Sequence, residues 1–349
     1  MALRVAVIGG GLFGSTAAMH AARAGHDVHL FEAKAGLMLG ATAGTYSRLH
    51  RGAHYPRSPE TGRESRKAEA SFRAEYGSAV IDTGRQFYIV PPGSRNHVTV
   101  DQYRNFLDDE GLAFSEEGGV FEVMEPRVNL QALQVLVRQK VHDAGVRVHL
   151  ETRAGPDLRD RFDHIVVAAY SGLNDVLEVL GCEPAVYKFQ VVEKPVVLLP
   201  EGFRGVSMVV IDGPFGCIDP LDDTPLHVLG HVVHTVHAET VGVKAQVPQH
   251  LVSLIDQGLL RCPSRTRFTE VVRGLAQFVP DVARAVHVGS MYVIRSVLAH
   301  QEQTDARPTR VTRVDEQVST IFSGKLGTCV ASARAVCDSL VTENQRVAA

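Results

Sequence analysis

Residues 4–32 read Arg4-Val-Ala-Val-Ile-Gly-Gly-Gly-Leu-Phe-Gly14, Ser15-Thr-Ala-Ala-Met-His-Ala-Ala-Arg-Ala24 and Gly25-His-Asp-Val-His-Leu-Phe-Glu32. Val5 to Ile8 is an apolar run suited to a buried strand. The glycines at 9, 11 and 14 then supply G-x-G-x-x-G, and the Ala-rich run Ser15–Ala24 reads as a helix that ends at Gly25. Asp27 to Phe31 is a second strand closed by Glu32. Strand, glycine turn, helix, strand and a terminal acid form a βαβ unit that binds a dinucleotide. Gly9 permits the tight turn, Gly11 lets backbone approach a pyrophosphate, and Gly14 brings the helix close to the strand. The helix N-terminus offers unpaired N–H groups to phosphate. Glu32 is placed to accept ribose hydroxyls.

Beyond Glu32 the chain runs Gly36-Leu-Met-Leu-Gly40-Ala-Thr-Ala-Gly44-Thr-Tyr-Ser-Arg-Leu-His50. Such small residues suit backbone lying along an extended cofactor, which favours FAD over the shorter NAD. Helices are predicted at Gly62–Tyr76 and Asp101–Asp109, and one beginning at Asn129 and closing at Gly145. Strands at 146–150 and 162–169 return to the first sheet. Residues 186–237 are β-rich, with strands predicted at 191–199, 205–212 and 225–237 and turns at 200–202 and 219–223. Helices are expected near 249–260 and 264–278, an extended run at 284–298, a last strand at 315–322 and a terminal amphipathic helix.

The 349 residues allow one or two domains. A net charge of −3 without a basic block does not point to nucleic acid. The five cysteines form no C-x-x-C pair, so neither a disulfide framework nor a zinc site is suggested. No apolar run approaches a membrane span, and a cytoplasmic protein is the default expectation.

These motifs resemble the D-amino-acid-oxidase superfamily of FAD-dependent oxidoreductases. The likeness rests on Gly9–Glu32, on Leu49-His-Arg-Gly-Ala-His-Tyr-Pro56, on the strand Phe162–Ala169 and on Gly324-Lys-Leu-Gly-Thr328. The second stretch is similar to the I-H-x-G-x-Y-Y-P of the L-2-hydroxyglutarate dehydrogenase branch. The sequence departs from the family at Tyr170, where the family's A-x-G turn usually has Gly. The resemblance implies an α/β (α+β overall) fold: a Rossmann-like FAD-binding domain from 1–85, 126–185 and 288–349, and a mixed β-sheet substrate domain from 86–125 and 186–287. It implies flavin contacts from Gly9, Gly11, Leu12, Phe13, Gly14, Glu32, Ala33, Thr42, Arg48, Leu49, His50, Gly324, Lys325, Leu326, Gly327 and Thr328.

The implied chemistry is oxidation of a C–N or C–O bond of a small amine, amino acid or 2-hydroxy acid by hydride transfer to flavin N5. Oxygen or another electron acceptor reoxidises the flavin. Arg295, in an apolar strand, would pair its planar fork with a substrate carboxylate. His50 would sit beside the flavin, noncovalently, and His50 or His54 would serve as base for an alcohol. Lys325, just before a helix, would offset charge on reduced flavin.

A second G-x-G-x-x-G and a G-D-A-x-H stretch are both absent, so electrons are expected from the organic substrate rather than a nicotinamide. His227, His231, His234 and His237 lack a carboxylate or Cys at ligand spacing and are read as ordinary or substrate-facing, not as a metal site. Alternative readings are a flavoenzyme of another class, such as a sugar-nucleotide mutase or isoprenoid-type reductase, and a noncatalytic flavin-fold protein.

Overall fold

In the computed structural model, residues 2–347 are described apart from Ser94, Glu302, Gln303 and Asp305, with side chains described up to residue 340. The quoted stretch forms β1 (Arg4–Ile8), α1 (Leu12–Arg23) and β2 (Asp27–Phe31). After a long irregular segment come α2 (Pro59–Tyr76), β3 (Val80–Ile81), β4 (Arg85–Ile89), α3 (Val100–Asp109), β5 (Phe114–Glu117), β6 (Val120–Val123) and β7 (Arg127–Val128). The return to the first sheet uses α4 (Leu130–Asp143), β8 (Arg147–His149), α5 (Leu158–Arg161), β9 (His164–Val167) and α6 (Leu173–Val179). A run of strands follows: β10 (Tyr187–Leu198), β11 (Val206–Val210), β12 (Gly216–Pro220), β13 (Leu226–His231) and β14 (Val236–Gly242). The chain ends with α7 (Phe268–Ala276), β15 (Val286–Leu298), β16 (Arg310–Arg313), β17 (Val318–Phe322) and α8 (Cys329–Val347).

The first sheet has the order β16-β17-β9-β1-β2-β8, parallel except for the antiparallel edge pair β16–β17. Small residues explain its tight packing. Ala17, Ala18 and Ala21 of α1 are fully buried with Ala333 and Val336 of α8, so the two helices meet closely over the sheet. Asn129 caps α4 by accepting the Ala132 N–H at 2.9 Å, and Leu133, Val137 and Val141 point into the same core.

The second sheet runs β14-β10-β13-β12-β11-β4-β6-β5, with β15 pairing along the whole of β10. Residues 288–298 therefore belong to this sheet, and the chain rejoins the first sheet only at β16. A buried carboxylate fastens the far face of β10. Glu193 accepts from Ser290 Oγ at 2.6 Å, His237 Nε2 at 2.7 Å and the Arg267 N–H at 2.8 Å, and also from Thr266 Oγ1. Burial opposes its charge, but these donors outweigh it and hold its pKa below the ordinary value.

Three expectations fail locally. Residues 225–237 are not one continuous strand: β13 and β14 both pair antiparallel with β10, one after the other along it, and a turn interrupts them. The β-prone turn Val232–Thr235 is held by the His231 ring, whose Nδ1 accepts the N–H groups of Val233 (3.2 Å) and His234 (3.3 Å). Residues 249–260 contain only a 3₁₀ segment, Gln249–Leu254. Gly216–Pro220 forms β12 where a turn was read at its end: Gly216 and Gly230 pass so closely that a Cβ on Gly216 would lie 2.1 Å from the Gly230 carbonyl oxygen.

Candidate flavin and substrate site

A single cavity of about 1190 Å³ runs from the β1–α1 turn across to the second sheet. That exceeds the space a drug-sized ligand needs and suits a dinucleotide plus a small substrate. At its first end, Gly9 adopts φ +106°, a conformation suited to glycine. A Cβ on Gly14 would lie 1.9 Å from the Gly9 carbonyl oxygen, so only glycine allows this strand–helix contact. A Cβ on Gly11 would meet only Thr42 Oγ1, at 3.4 Å, and Gly11 lines the cavity. Gly11 is also the N-cap of α1 and has no side chain to cap it, while Thr42 Oγ1 accepts the Leu12 N–H at 3.3 Å. A helix N-terminus of this kind attracts phosphate through its dipole and its N–H groups.

Glu32 closes the other side of the turn. Its carboxylate accepts the Gly10 N–H at 2.6 Å and the Lys34 N–H at 2.8 Å, which fixes it with lone pairs left for ribose hydroxyls. Leu12, Phe13, Ala33, Thr42, Gly324 and Leu326 also line the cavity. An extended FAD fits these residues: a glycine cradle, a helix end open to anions, and a fixed acid at the ribose position.

Five expected residues, Gly14, Leu49, Lys325, Gly327 and Thr328, do not line the cavity. Leu49 is buried beneath Gly327, whose Cβ would lie 2.7 Å from Leu49 Cδ1. Thr328 bonds Thr309 and Ser323. Lys325 is buried and pairs with Glu64, so its charge is already met on the far side of its loop. Burial lowers its pKa, and Glu64 opposes that. This carboxylate comes from α2, invisible as a neighbour in sequence, and competes with the flavin-facing role read for Lys325. Gly14 acts through packing rather than contact.

At the other end, Arg48, His50, His54 and Arg295 do come together on the cavity wall. Arg48 is held by Asp219 of β12: Nη2 donates to Oδ2 at 2.8 Å, and Nε lies 2.8 Å from Oδ1. Ser207 Oγ also donates to this carboxylate, at 2.6 Å. The His50 and His54 rings lie 4.9 Å apart. His50 Nδ1 is 3.6 Å from Glu125 Oε2, and Glu125 is itself fixed by Tyr88 Oη at 2.7 Å and the Arg51 N–H at 2.7 Å. His54 has a pKa well below the ordinary value, first through burial and then through His50, Arg48 and Arg295. It is therefore a neutral imidazole near pH 7.

Arg295 projects from β15 opposite Gln190 of β10, to which its Nη1 donates at 3.1 Å. Tyr170, where glycine was expected, takes φ +52° and lines the cavity. Its hydroxyl donates to the Ser296 carbonyl and accepts the Ser296 N–H, both at 3.1 Å, and so anchors the end of β15 beside Arg295.

Sequence reasoning missed Lys194, Tyr46, Cys217 and Asp219, all at this end. Lys194 and Cys217 line the cavity, and Lys194 Nζ lies 3.7 Å from the Tyr46 ring centroid. Burial lowers Lys194 to about 7; Arg295 and Arg48 add to this, while Cys217 and Asp219 pull the other way. Burial pushes the Cys217 thiol up to about 12. The available signal was a lysine interrupting the apolar run Val191–Leu199. Among the histidines, His227 Nε2 donates to the Phe203 carbonyl oxygen at 2.8 Å, and His237 Nε2 donates to Glu193. Both have structural duties.

A strand–glycine–helix cradle, a fixed acid and an arginine- and histidine-lined second chamber define a flavin-dependent oxidoreductase. Residues 4–173 match the family described as FAD dependent oxidoreductase (DAO). It is 26% identical to the FAD-dependent monooxygenase kojA of Aspergillus flavus, over 96% of this chain and 85% of that protein. Two solved structures share the fold. Glycine oxidase from Geobacillus kaustophilus superposes with TM-score 0.68 at 15% identity, over 98% of this chain and 94% of that one. L-proline dehydrogenase from P. horikoshii does so with TM-score 0.69 at 11% identity, over 98% and 94%. The two solved structures share the fold alone, and none of these likenesses selects the L-2-hydroxyglutarate dehydrogenase branch. No helix among the described residues is long and apolar enough to cross a membrane.

Proposed function

We propose that this FAD-dependent oxidoreductase oxidises the C–N bond of a small amino acid or related amine, with a 2-hydroxy acid as the C–O counterpart. The observation that carries this reading is Arg295. It faces the cavity and, among the described residues, is bonded only to the neutral Gln190. Its guanidinium fork therefore remains free to hold a carboxylate by two parallel hydrogen bonds. Bound FAD supplies a two-electron acceptor at N5. The chain's own residues orient and shield. Tyr170 fixes β15, Arg48 is neutralised by Asp219 and does not compete for the substrate anion, and neutral His54 can accept a proton from an alcohol. Molecular oxygen or a carrier takes the electrons onward.

Arg295→Lys tests the substrate class. Lysine keeps the charge and loses the fork, so binding of a carboxylate substrate should weaken by roughly 1.5–3 kcal/mol, and anaerobic flavin bleaching should slow. Wild-type kinetics in this variant reject the amino-acid and hydroxy-acid reading. The name of the Aspergillus relative supports a second reading, in which the flavin activates oxygen for insertion into the substrate. Mass spectrometry of product formed under ¹⁸O₂ separates the two. Oxygen-18 retained in the product supports the monooxygenase, whereas labelled peroxide with unlabelled product supports the oxidase.

A further inference from the structure

Lys194 has no place in the scheme above, yet it occupies the substrate chamber. It lies on the same face of β10 as Gln190 and Val192, all three lining the cavity. Its exposure is 7%, and its Nζ rests over the Tyr46 ring. Among the described residues no carboxylate pairs with it: Asp219, the nearby acid, is engaged by Arg48 and by Ser207. The groups that face it are Tyr46 and Arg48 from the irregular segment, Cys217 and Asp219 from β12, and Arg295 from β15; β13 presents Gly230 there. A lysine so placed is desolvated, lacks an anion and shares its chamber with an arginine. Its amine lone pair is therefore available near neutral pH.

We propose that Lys194 is the proton acceptor for the substrate's ammonium group. This rests on the amine-oxidation reading. A protonated amine cannot release hydride from its α-carbon, because its nitrogen lone pair is occupied. In the step proposed, one substrate N–H bond breaks and one Nζ–H bond forms. The substrate becomes a neutral amine with a free lone pair, and Lys194 becomes an ammonium that later returns its proton to solvent. The chamber couples this transfer to binding. In the free enzyme Arg295 repels a charge on Lys194. A carboxylate docked on Arg295 cancels that repulsion, so Nζ becomes a stronger base as the ammonium arrives.

The test is the pH dependence of anaerobic flavin reduction by an amino acid that bleaches the wild-type holoenzyme, compared in Lys194→Met and Lys194→Arg. Reduction by Lys194→Met should fall about 100-fold at pH 7, within the usual worth of a positioned base. It should recover toward the wild-type rate near pH 10, where the substrate arrives already deprotonated. Lys194→Arg places a permanent cation there that cannot accept a proton, so it should follow the Met variant. Flavin content and binding of a carboxylate analogue without an amine, followed by the flavin spectrum, should be retained in Lys194→Met. A pH profile unchanged in Lys194→Met, or rescue by arginine, overturns the proton-acceptor role. Wild-type flavin that no amino acid or amine bleaches overturns it by a different route, through failure of the amine reading itself.

Discussion

Arg48 and Asp219 form a buried ion pair 2.8 Å long that joins the irregular segment after β2 to β12 of the second sheet. Their side chains are 3% and 1% exposed, so neither charge has water to fall back on. Asp219→Asn should leave Arg48 uncompensated and cost roughly 3 kcal/mol of stability, measured by urea unfolding. Replacing both residues together, as Arg48→Met with Asp219→Leu, should regain much of that loss. A single variant as stable as wild type would show that the pair contributes nothing.

Gly11 and Gly14 should fail in different ways. Gly11→Val places its side chain in the cavity with only Thr42 nearby, so a folded but colourless protein is expected. Gly14→Ala drives a Cβ onto the Gly9 carbonyl and must separate α1 from β1, so both thermal stability and flavin content should drop. Flavin absorbance and thermal unfolding of the two proteins check the contrast.

Lys325→Met should leave the flavin midpoint potential and reduction rate unchanged, because the Lys325 ammonium is spent on Glu64. Glu64 is partly exposed, so the stability cost should be modest, about 1 kcal/mol. A potential that falls in a redox titration would restore Lys325 to the flavin.

His164 sets an acid limit on the fold. Burial, assisted by Arg313 and opposed by Asp315, lowers its pKa from 6.5 to about 4. Between those values the unfolded chain binds the proton and the folded one does not. The stabilisation is thus complete above pH 6.5 and is lost as pH falls toward 4, by on the order of 3 kcal/mol. Unfolding free energies from pH 7 to pH 4 should show this slope, and His164→Gln should flatten its share.

The nucleotide end of the site was legible because it is local. Gly9, Gly11, Gly14 and Glu32 lie within one βαβ unit, where spacing alone specifies geometry. The substrate end was legible only in part. His54 and Arg295 stood out as polar residues in apolar or motif-bearing surroundings. Lys194 drew no attention, because its meaning depends on Tyr46 and Cys217, which are distant in sequence. The break between β13 and β14 was hidden because its turn opens on two valines and is stabilised by a histidine side chain.

The amino-acid sequence by itself determined the first sheet, the flavin cradle and the class of cofactor, since these arise from backbone conformations that glycine alone permits at short range. The tertiary structure decided which charged side chains face the substrate. A cation's role is set by whether folding brings an acid to it: Glu64 reaches Lys325 and Asp219 reaches Arg48, whereas Lys194 and Arg295 meet none among the described residues. Those pairings span up to 261 positions, and only tertiary packing creates them: α2 against the segment after β17 for Lys325, and the irregular segment after β2 against β12 for Arg48.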